Sequence, residues 1–245
     1  MKIKHYFCFD KEIQYKMTSK KLNDQNWDIL RTDETKSPFA IERSVADYEK
    51  NCEESLEYKR VAERICECIK ENGYQNLVSV GVGKGILEWH IKKMLPGLYI
   101  ECTDYTKESV NLLKNVFLNC DNFRVFDIMK DDYSIYGKDT VIMMYRVSTE
   151  FNNKQWCQIF DKLYNAGIEN IIFVPTEILN LKIALYEKIR LGISYLRNRR
   201  SIFCGWMYSQ GEFLRFFKGT NNKRKYIVKK TNIKGNIVMY ELRKV

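Results

Sequence analysis

Histidine and proline are almost missing from this chain, with two His and three Pro among 245 residues. His5 and His90 stand far apart in sequence, which argues against a His-built metal centre and against a Ser-His-Asp hydrolase. His90 sits among Ile86, Leu87 and Ile91 and reads as a packing residue, while His5, near the start, carries no signal. Eight cysteines are present but none forms a CxxC pair. They are read as reduced, mostly buried thiols rather than as zinc or redox ligands, and no metal is expected. Any apolar run long enough to span a bilayer is also lacking. The opening residues mix Lys2, Lys4, His5 and Asp10 with a few apolar side chains, unlike a secretory leader. These absences together point to a cytoplasmic, metal-free protein.

What is present is the composition of a globular chain, 45% hydrophobic and 29% charged, with length for one large α/β domain and decorations. The net charge of +10 is uneven. From Lys182 onward sixteen Lys and Arg face three acids, Glu187, Glu212 and Glu241, a local +13 that leaves −3 for the rest. A basic third beside a near-neutral body suggests an anionic partner: a phosphate-bearing substrate, nucleic acid or a lipid surface. A solvated basic face is the plain alternative.

Residues 1–40 are polar and read as an irregular arm with at most a short helix. Between 41 and 72 the apolar positions Val45, Leu56, Val61, Ile65 and Ile69 recur at helical spacing, and Gly73 stands where a helix stops. The pattern then alternates. Strands are predicted at 76–82, 98–102, 123–126, 140–145 and 170–174, with helices at 85–94, 107–118 and 153–166. Near-continuous apolar strands separated by helices imply a parallel sheet covered on both faces. Two basic helices, 176–200 and 209–218, interrupt the alternation, and strands 225–230 and 236–242 close the chain as a hairpin whose turn carries Asn232 and Gly235. The division expected is an N-terminal arm with helices, 1–72, and a main domain, 73–245, holding a basic helical insertion or lid at 178–218.

The most informative run is Leu77-Val78-Ser79-Val80-Gly81-Val82-Gly83-Lys84-Gly85-Ile86. A strand feeding a glycine-rich turn and then a helix lets bare backbone and helix N–H groups approach a ligand. The dinucleotide pattern GxGxxG fails at Ile86, whereas GxGxG is met by Gly81, Gly83 and Gly85. Asp104 ends the second strand, nineteen residues past Gly85, where a carboxylate can accept from two ribose hydroxyls and Tyr105 can cover an adenine face. The third strand ends similarly in Phe126-Asp127-Ile128.

On these residues the stretch 74–178 resembles the core of the class I, Rossmann-like S-adenosylmethionine-dependent methyltransferases. The resemblance implies an α/β, doubly wound, mostly parallel seven-stranded sheet of order 3-2-1-4-5-7-6 with its last strand antiparallel. It implies S-adenosylmethionine as cofactor and S-adenosylhomocysteine as product. Gly81, Val82, Gly83 and Gly85 would border the methionyl moiety, Asp104 the ribose, and Tyr105, Asp127 and Ile128 the adenine, with Tyr145 beside them. One departure stands out: the family often carries an acid two residues before the first glycine, and here that residue is Ser79.

Methyl transfer needs an aligned acceptor and, for a hydroxyl, removal of its proton. Arg146 is the candidate for orienting the acceptor, Glu150 for the base, and Glu177 the reserve, each with a surface ion pair or helix cap as its plain alternative. Neither a Pro-Pro-Tyr loop nor a Pro-Cys pair occurs, which trims base-methylating nucleic-acid enzymes. The acceptor expected is a small molecule or a glycan or sugar-phosphate type, methylated on oxygen. The basic third leaves open peripheral contact with an anionic membrane, or an RNA methyltransferase or RNA-binding module.

Overall fold

The computed structural model describes residues 1–8, 11–17, 19–33, 37–197, 201–223 and 225–245. Its elements run β1 (Lys2–Cys8), α1 (Lys11–Lys16), α2 (Asp24–Thr32), α3 (Val45–Glu54), α4 (Leu56–Asn72), β2 (Asn76–Val80), α5 (Ile86–Met94), β3 (Tyr99–Asp104), α6 (Lys107–Val116), β4 (Asn122–Val125), β5 (Thr140–Tyr145), α7 (Asn153–Asn165), β6 (Asn170–Val174), α8 (Leu181–Leu196), β7 (Ser201–Tyr208), α9 (Gln210–Phe216), β8 (Tyr226–Lys234) and β9 (Ile237–Lys244). The apolar pattern over 41–72 resolves into two helices, and α4 stops where expected, with Gly73 left-handed and its N–H donating to Ile69 and Lys70 carbonyls.

Seven strands form one sheet in the order β4-β3-β2-β5-β6-β9-β8. Counted among themselves these are strands 3-2-1-4-5-7-6, and β9 runs antiparallel to both β6 and β8 while the others pair in parallel. The central strands are buried on both faces. Along β5, Val141 and Met143 join the core under α3–α6, and Ile142 and Met144 join the one under α7 and α9. The chain winds outward from β2 to β4, then restarts beside β2 with β5. The crevice at the carboxyl ends of β2 and β5 is therefore the topological switch point where such sheets bind ligands.

Two features differ from the sequence reading. The arm is not irregular: β1 pairs antiparallel with β7, so the first residues and 201–208 build a second, two-stranded sheet. The basic insertion is likewise not helical throughout, since β7 separates α8 from α9. Alternating burial of Ile202 and Cys204 is a strand signal, but the partner strand lies two hundred residues away, and local periodicity does not reveal it. Of the basic residues expected in the first insertion helix, Arg199 and Arg200 lie outside the described residues.

A buried ion cluster ties this second sheet to α8. Arg190 donates to Glu187 Oε2 at 2.7 Å and to the Tyr6 carbonyl at 2.6 Å, and His5 Nδ1 lies 3.2 Å from Glu187 Oε2. Burial would raise the Glu187 carboxyl, but His5 and Arg190 overcome it and hold it down to about 2. A carboxyl depressed from its ordinary 4.5 contributes stability that is complete above about pH 4.5 and lost as pH falls toward 2. Glu187→Gln is accordingly expected to cost about 3 kcal/mol at pH 7 and to flatten the acid limb, read by urea unfolding at pH 7 and pH 3.

The eight cysteines are free thiols. Burial pushes Cys52 and Cys68 up to about 12, which makes them inert packing groups.

Candidate active site

The loop leaving β2 carries three glycines with φ of 75°, 63° and 69° at Gly81, Gly83 and Gly85. Gly81 is the position where a side chain is excluded outright: a Cβ there would stand 2.4 Å from Val147 Cγ1, in the loop that leaves β5. The loop is tied to β3, because the N–H groups of Gly81 and Val82 both donate to the Thr103 carbonyl at 2.9 Å. Asp104 completes the fixation. Its Oδ2 accepts from Gly83 N–H at 3.2 Å and its Oδ1 from the N–H and hydroxyl of Thr106, each at 3.0 Å.

Two adjoining cavities open at this crevice. The first, of about 580 Å³, is walled by the glycine loop, by Tyr145 at the end of β5 and Arg146 and Glu150 after it, and by Glu177 after β6. The second, of about 320 Å³, is walled by Tyr105, Asp127 and Ile128. Gly81, Trp27, Val147, Glu150 and Cys204 belong to both walls, so Glu150 sits at the junction. Of the site residues expected from sequence, Gly81, Val82, Gly83, Gly85, Tyr145, Arg146, Glu150 and Glu177 thus meet in one cavity. Tyr105, Asp127 and Ile128 meet in the other. Asp104 lines neither; it is buried behind the loop that it braces.

Electrostatics separate the carboxyl groups. Lys130 pairs with Asp127 at 2.9 Å, and the N–H groups of Met129 and Lys130 also donate to it; together they outweigh partial burial and keep this carboxyl below its usual range. Glu150 is different. It is exposed by accessible surface and lines both cavities, and desolvation first, then the nearby charge of Asp104, pushes its carboxyl up to about 7 against the pull of Arg31. Arg146 adopts φ of 59°, a conformation costly for a side chain with a Cβ, held by its N–H on the Val174 carbonyl and by the Thr176 hydroxyl on its own carbonyl. Its guanidinium lies 3.6 Å from Glu57 and 5.9 Å from the Tyr145 ring centroid. Glu177 accepts from the Asn236 amide at 3.4 Å.

Sequence reasoning missed three contributors. Arg31, on α2, is buried at the cavity wall with its Nη1 on the Phe39 carbonyl and its guanidinium 4.8 Å from the Trp27 ring. His5 lines the first cavity, although its place in the arm gave no hint of it. Both arrive through the folding of the first forty residues over the crevice. The third is Glu88, in the first turn of α5. It is 2% exposed, lines the first cavity, and accepts from the Ser79 hydroxyl at 2.5 Å. Burial pushes its carboxyl up to about 7, moderated by that hydroxyl. A buried carboxyl thus stands beside Ser79, nine residues later in the chain, with the Ser79 hydroxyl as its donor. His90, by contrast, is buried edge-on against Trp89 at 5.0 Å, a packing residue as read. Among the described residues no group of three His, Cys, Asp or Glu could hold a metal.

A sheet of this order with its glycine loop at the switch point is the fold of the class I S-adenosylmethionine-dependent methyltransferases. Solved structures with that fold include the human N-acetylserotonin methyltransferase in complex with S-adenosylmethionine, at 15% identity and TM-score 0.53 over 78% of this chain and 56% of that one. The mitomycin 7-O-methyltransferase matches at 14% identity and TM-score 0.59, over 96% of this chain and 67% of that one. The magnesium protoporphyrin IX methyltransferase of Synechocystis PCC 6803, with bound S-adenosylhomocysteine, matches at 13% and 0.54, over 77% and 84%. The chain spans about half the length of several such structures. No family model and no curated protein matches the sequence.

Proposed function

We propose that this chain is an S-adenosylmethionine-dependent methyltransferase acting on a hydroxyl of a small, ring-bearing acceptor. The observation that carries the reading is the glycine loop Gly81–Gly85 opening on two joined cavities, one lined by Arg146, Glu150 and several aromatic rings and one walled by Tyr105 and Ile128. The donor set fits the cofactor. Glu88 is a buried carboxyl that accepts from a hydroxyl rather than from a cation, which suits an α-amino group, and Arg31 beside Gly83 suits an α-carboxylate. Ile128 and Tyr105 offer apolar faces for adenine, and Asp127 an acceptor for its amino group. Asp104 has three of roughly four lone-pair sites taken, which leaves one acceptor site for a ribose hydroxyl.

When bound, S-adenosylmethionine supplies a methyl group activated by its sulfonium. The residues of the chain orient the acceptor and handle its proton. Phe7, Phe39, Tyr58 and Tyr145 line the first cavity, and its 580 Å³ suits a drug-sized molecule. Arg146 and His5 present polar groups to it. Glu150, at the junction of the cavities and poised near neutrality, takes the hydroxyl proton; Glu177, which lines the first cavity, is the reserve. N-acetylserotonin and mitomycin, named for two of the structural relatives, are small molecules of this kind. The RNA reading gains no such support. Four of the sixteen cations of the basic third are paired internally: Arg190 with Glu187, Arg215 with Glu212, Lys225 with Asp161 and Lys229 with Glu241.

Calorimetric titration of S-adenosylmethionine tests the reading. Micromolar binding is expected, weakened about tenfold or more in Glu88→Gln, the scale of one charge-assisted hydrogen bond, and also in Asp104→Ala. Because an ammonium partner favours the ionised form, wild-type binding at pH 6.5 releases a proton, seen as a dependence of the heat on buffer ionisation, and Glu88→Gln abolishes it. Failure of the wild type to bind refutes the methyltransferase reading. Normal binding by Glu88→Gln refutes only the role of Glu88.

A further inference from the structure

The orientation of α8 is the reverse of what packing on its own protein requires. It buries Ile183, Glu187 and Ser194 and turns outward Leu181, Leu185, Ile189, Ile193 and Leu196, of which Leu181 and Leu196 are 82% and 84% exposed. At 100° per residue these five fall within an arc of about 120°. Gly192 lies on the same face with open space around it, and Tyr186 and Tyr195 are exposed beside it. The charges on the exposed surface of the helix are all positive. Lys182, Lys188 and Arg197 are exposed, and among the described residues no carboxylate pairs with them, unlike the cations of β8 and α9. The one acid of the helix, Glu187, is buried and held by His5 and Arg190.

We propose that this face docks on an anionic lipid bilayer, with α8 lying in the headgroup plane, its Leu and Ile stripe in the acyl boundary and its cations among lipid phosphates. Neither half of the surface suffices alone, since stable peripheral attachment takes an apolar insertion together with a basic patch, and α8 supplies both. Tyrosine rings at the border suit the interfacial zone. A second copy of the chain fits less well, because pairing two such faces sets three unpaired cations against three and brings no exposed acid to meet them. The helix lies on the bilayer rather than crossing it: among the described residues none is long and apolar enough to span. The proposal stands whether or not the methyltransferase reading does.

Co-sedimentation of the full chain with vesicles decides it. The wild type is expected to pellet with mixed phosphatidylglycerol and phosphatidylcholine vesicles at low salt, and to be released by high salt or by replacing the mixture with pure phosphatidylcholine. Lys182→Gln with Lys188→Gln lowers binding by about tenfold or more. Leu185→Ser with Ile189→Ser does the same through lost apolar insertion. All four positions are exposed, so both variants keep the wild-type thermal midpoint. No pelleting by the wild type overturns the proposal, as does equal binding to neutral and anionic vesicles. It is also overturned if the chain sediments as a dimer that Leu185→Ser with Ile189→Ser dissociates while vesicles are ignored.

Discussion

Glutamine at position 150 is expected to slow methyl transfer to a hydroxyl acceptor by about a hundred- to ten-thousand-fold, the range a positioned general base contributes, while S-adenosylmethionine binding changes little. Glu150 borders both cavities, and its carboxyl is pushed up to about 7 by desolvation and by Asp104. The ionised form is the base, so wild-type kcat/KM rises with pH through about 7 and levels off above it. Glu150→Gln removes that inflection. Arg31 pulls the carboxyl the other way, and Arg31→Met therefore moves the inflection to higher pH. The measurement is a pH–rate profile of all three proteins on an acceptor found by screening hydroxylated small molecules for S-adenosylhomocysteine release. An unchanged rate and profile in Glu150→Gln would leave Glu150 a wall residue and return attention to Glu177. The same raised carboxyls mark the stability curve. Glu88 and Glu150 both contribute stability that is present below about pH 4.5 and lost as pH rises through about 7, because the folded protein holds their protons more tightly.

Gly205→Ala is expected to be the most damaging single methyl in the chain, destabilising by about 4 kcal/mol and lowering activity with it. Gly205 has φ of 135°, and a Cβ there would fall 1.7 Å from the Thr149 carbonyl oxygen and 2.6 Å from its carbon. These are backbone atoms, so no rotamer change relieves the contact. Either β7 or the loop 147–150 must move. The close approach is part of the design of the site: Trp206 N–H donates to that same Thr149 carbonyl at 2.8 Å, and Gly205 pairs with His5 where the β1–β7 register shifts. The outer sheet thus grips the loop that carries Glu150. Gly137→Ala, with open space around it, provides the control and stays within about 0.5 kcal/mol of wild type. Equal unfolding midpoints for the two variants would show that β7 yields freely and does not position Glu150.

Much of the site was legible because its backbone devices leave local signatures. A strand ending in Gly81-Val82-Gly83-Lys84-Gly85 and a second ending in Asp104 mark the crevice through spacing alone, and the glycines do line it. Asp104 itself was legible only in position. That its carboxylate faces Gly83 and Thr106 rather than the cavity depends on how the turn after β3 folds back, which spacing does not encode. Ser79 looked like a loss for the same reason: Glu88, the carboxyl it bonds, is nine residues on in the next helix, and only the packing of α5 against β2 brings the two together. The basic third looked like one electrostatic surface, yet Asp161, Glu212 and Glu241 pair with cations of its later elements, while Lys182 and Lys188 of α8 have no such partner among the described residues.

By itself, the sequence determined the doubly wound sheet, the antiparallel closing strand and the glycine loop, all of which rest on periodicity and residue type within short windows. The tertiary structure decided what lies over the crevice. The first forty residues bring Arg31, Trp27 and His5 to it by pairing β1 with β7, and the outward turn of α8 follows from burying Glu187 against His5 and Arg190. Such contacts join residues nearly two hundred positions apart. Their energy comes from cross-strand pairing and desolvated charge, which exist only once the chain has closed, so no local pattern announces them.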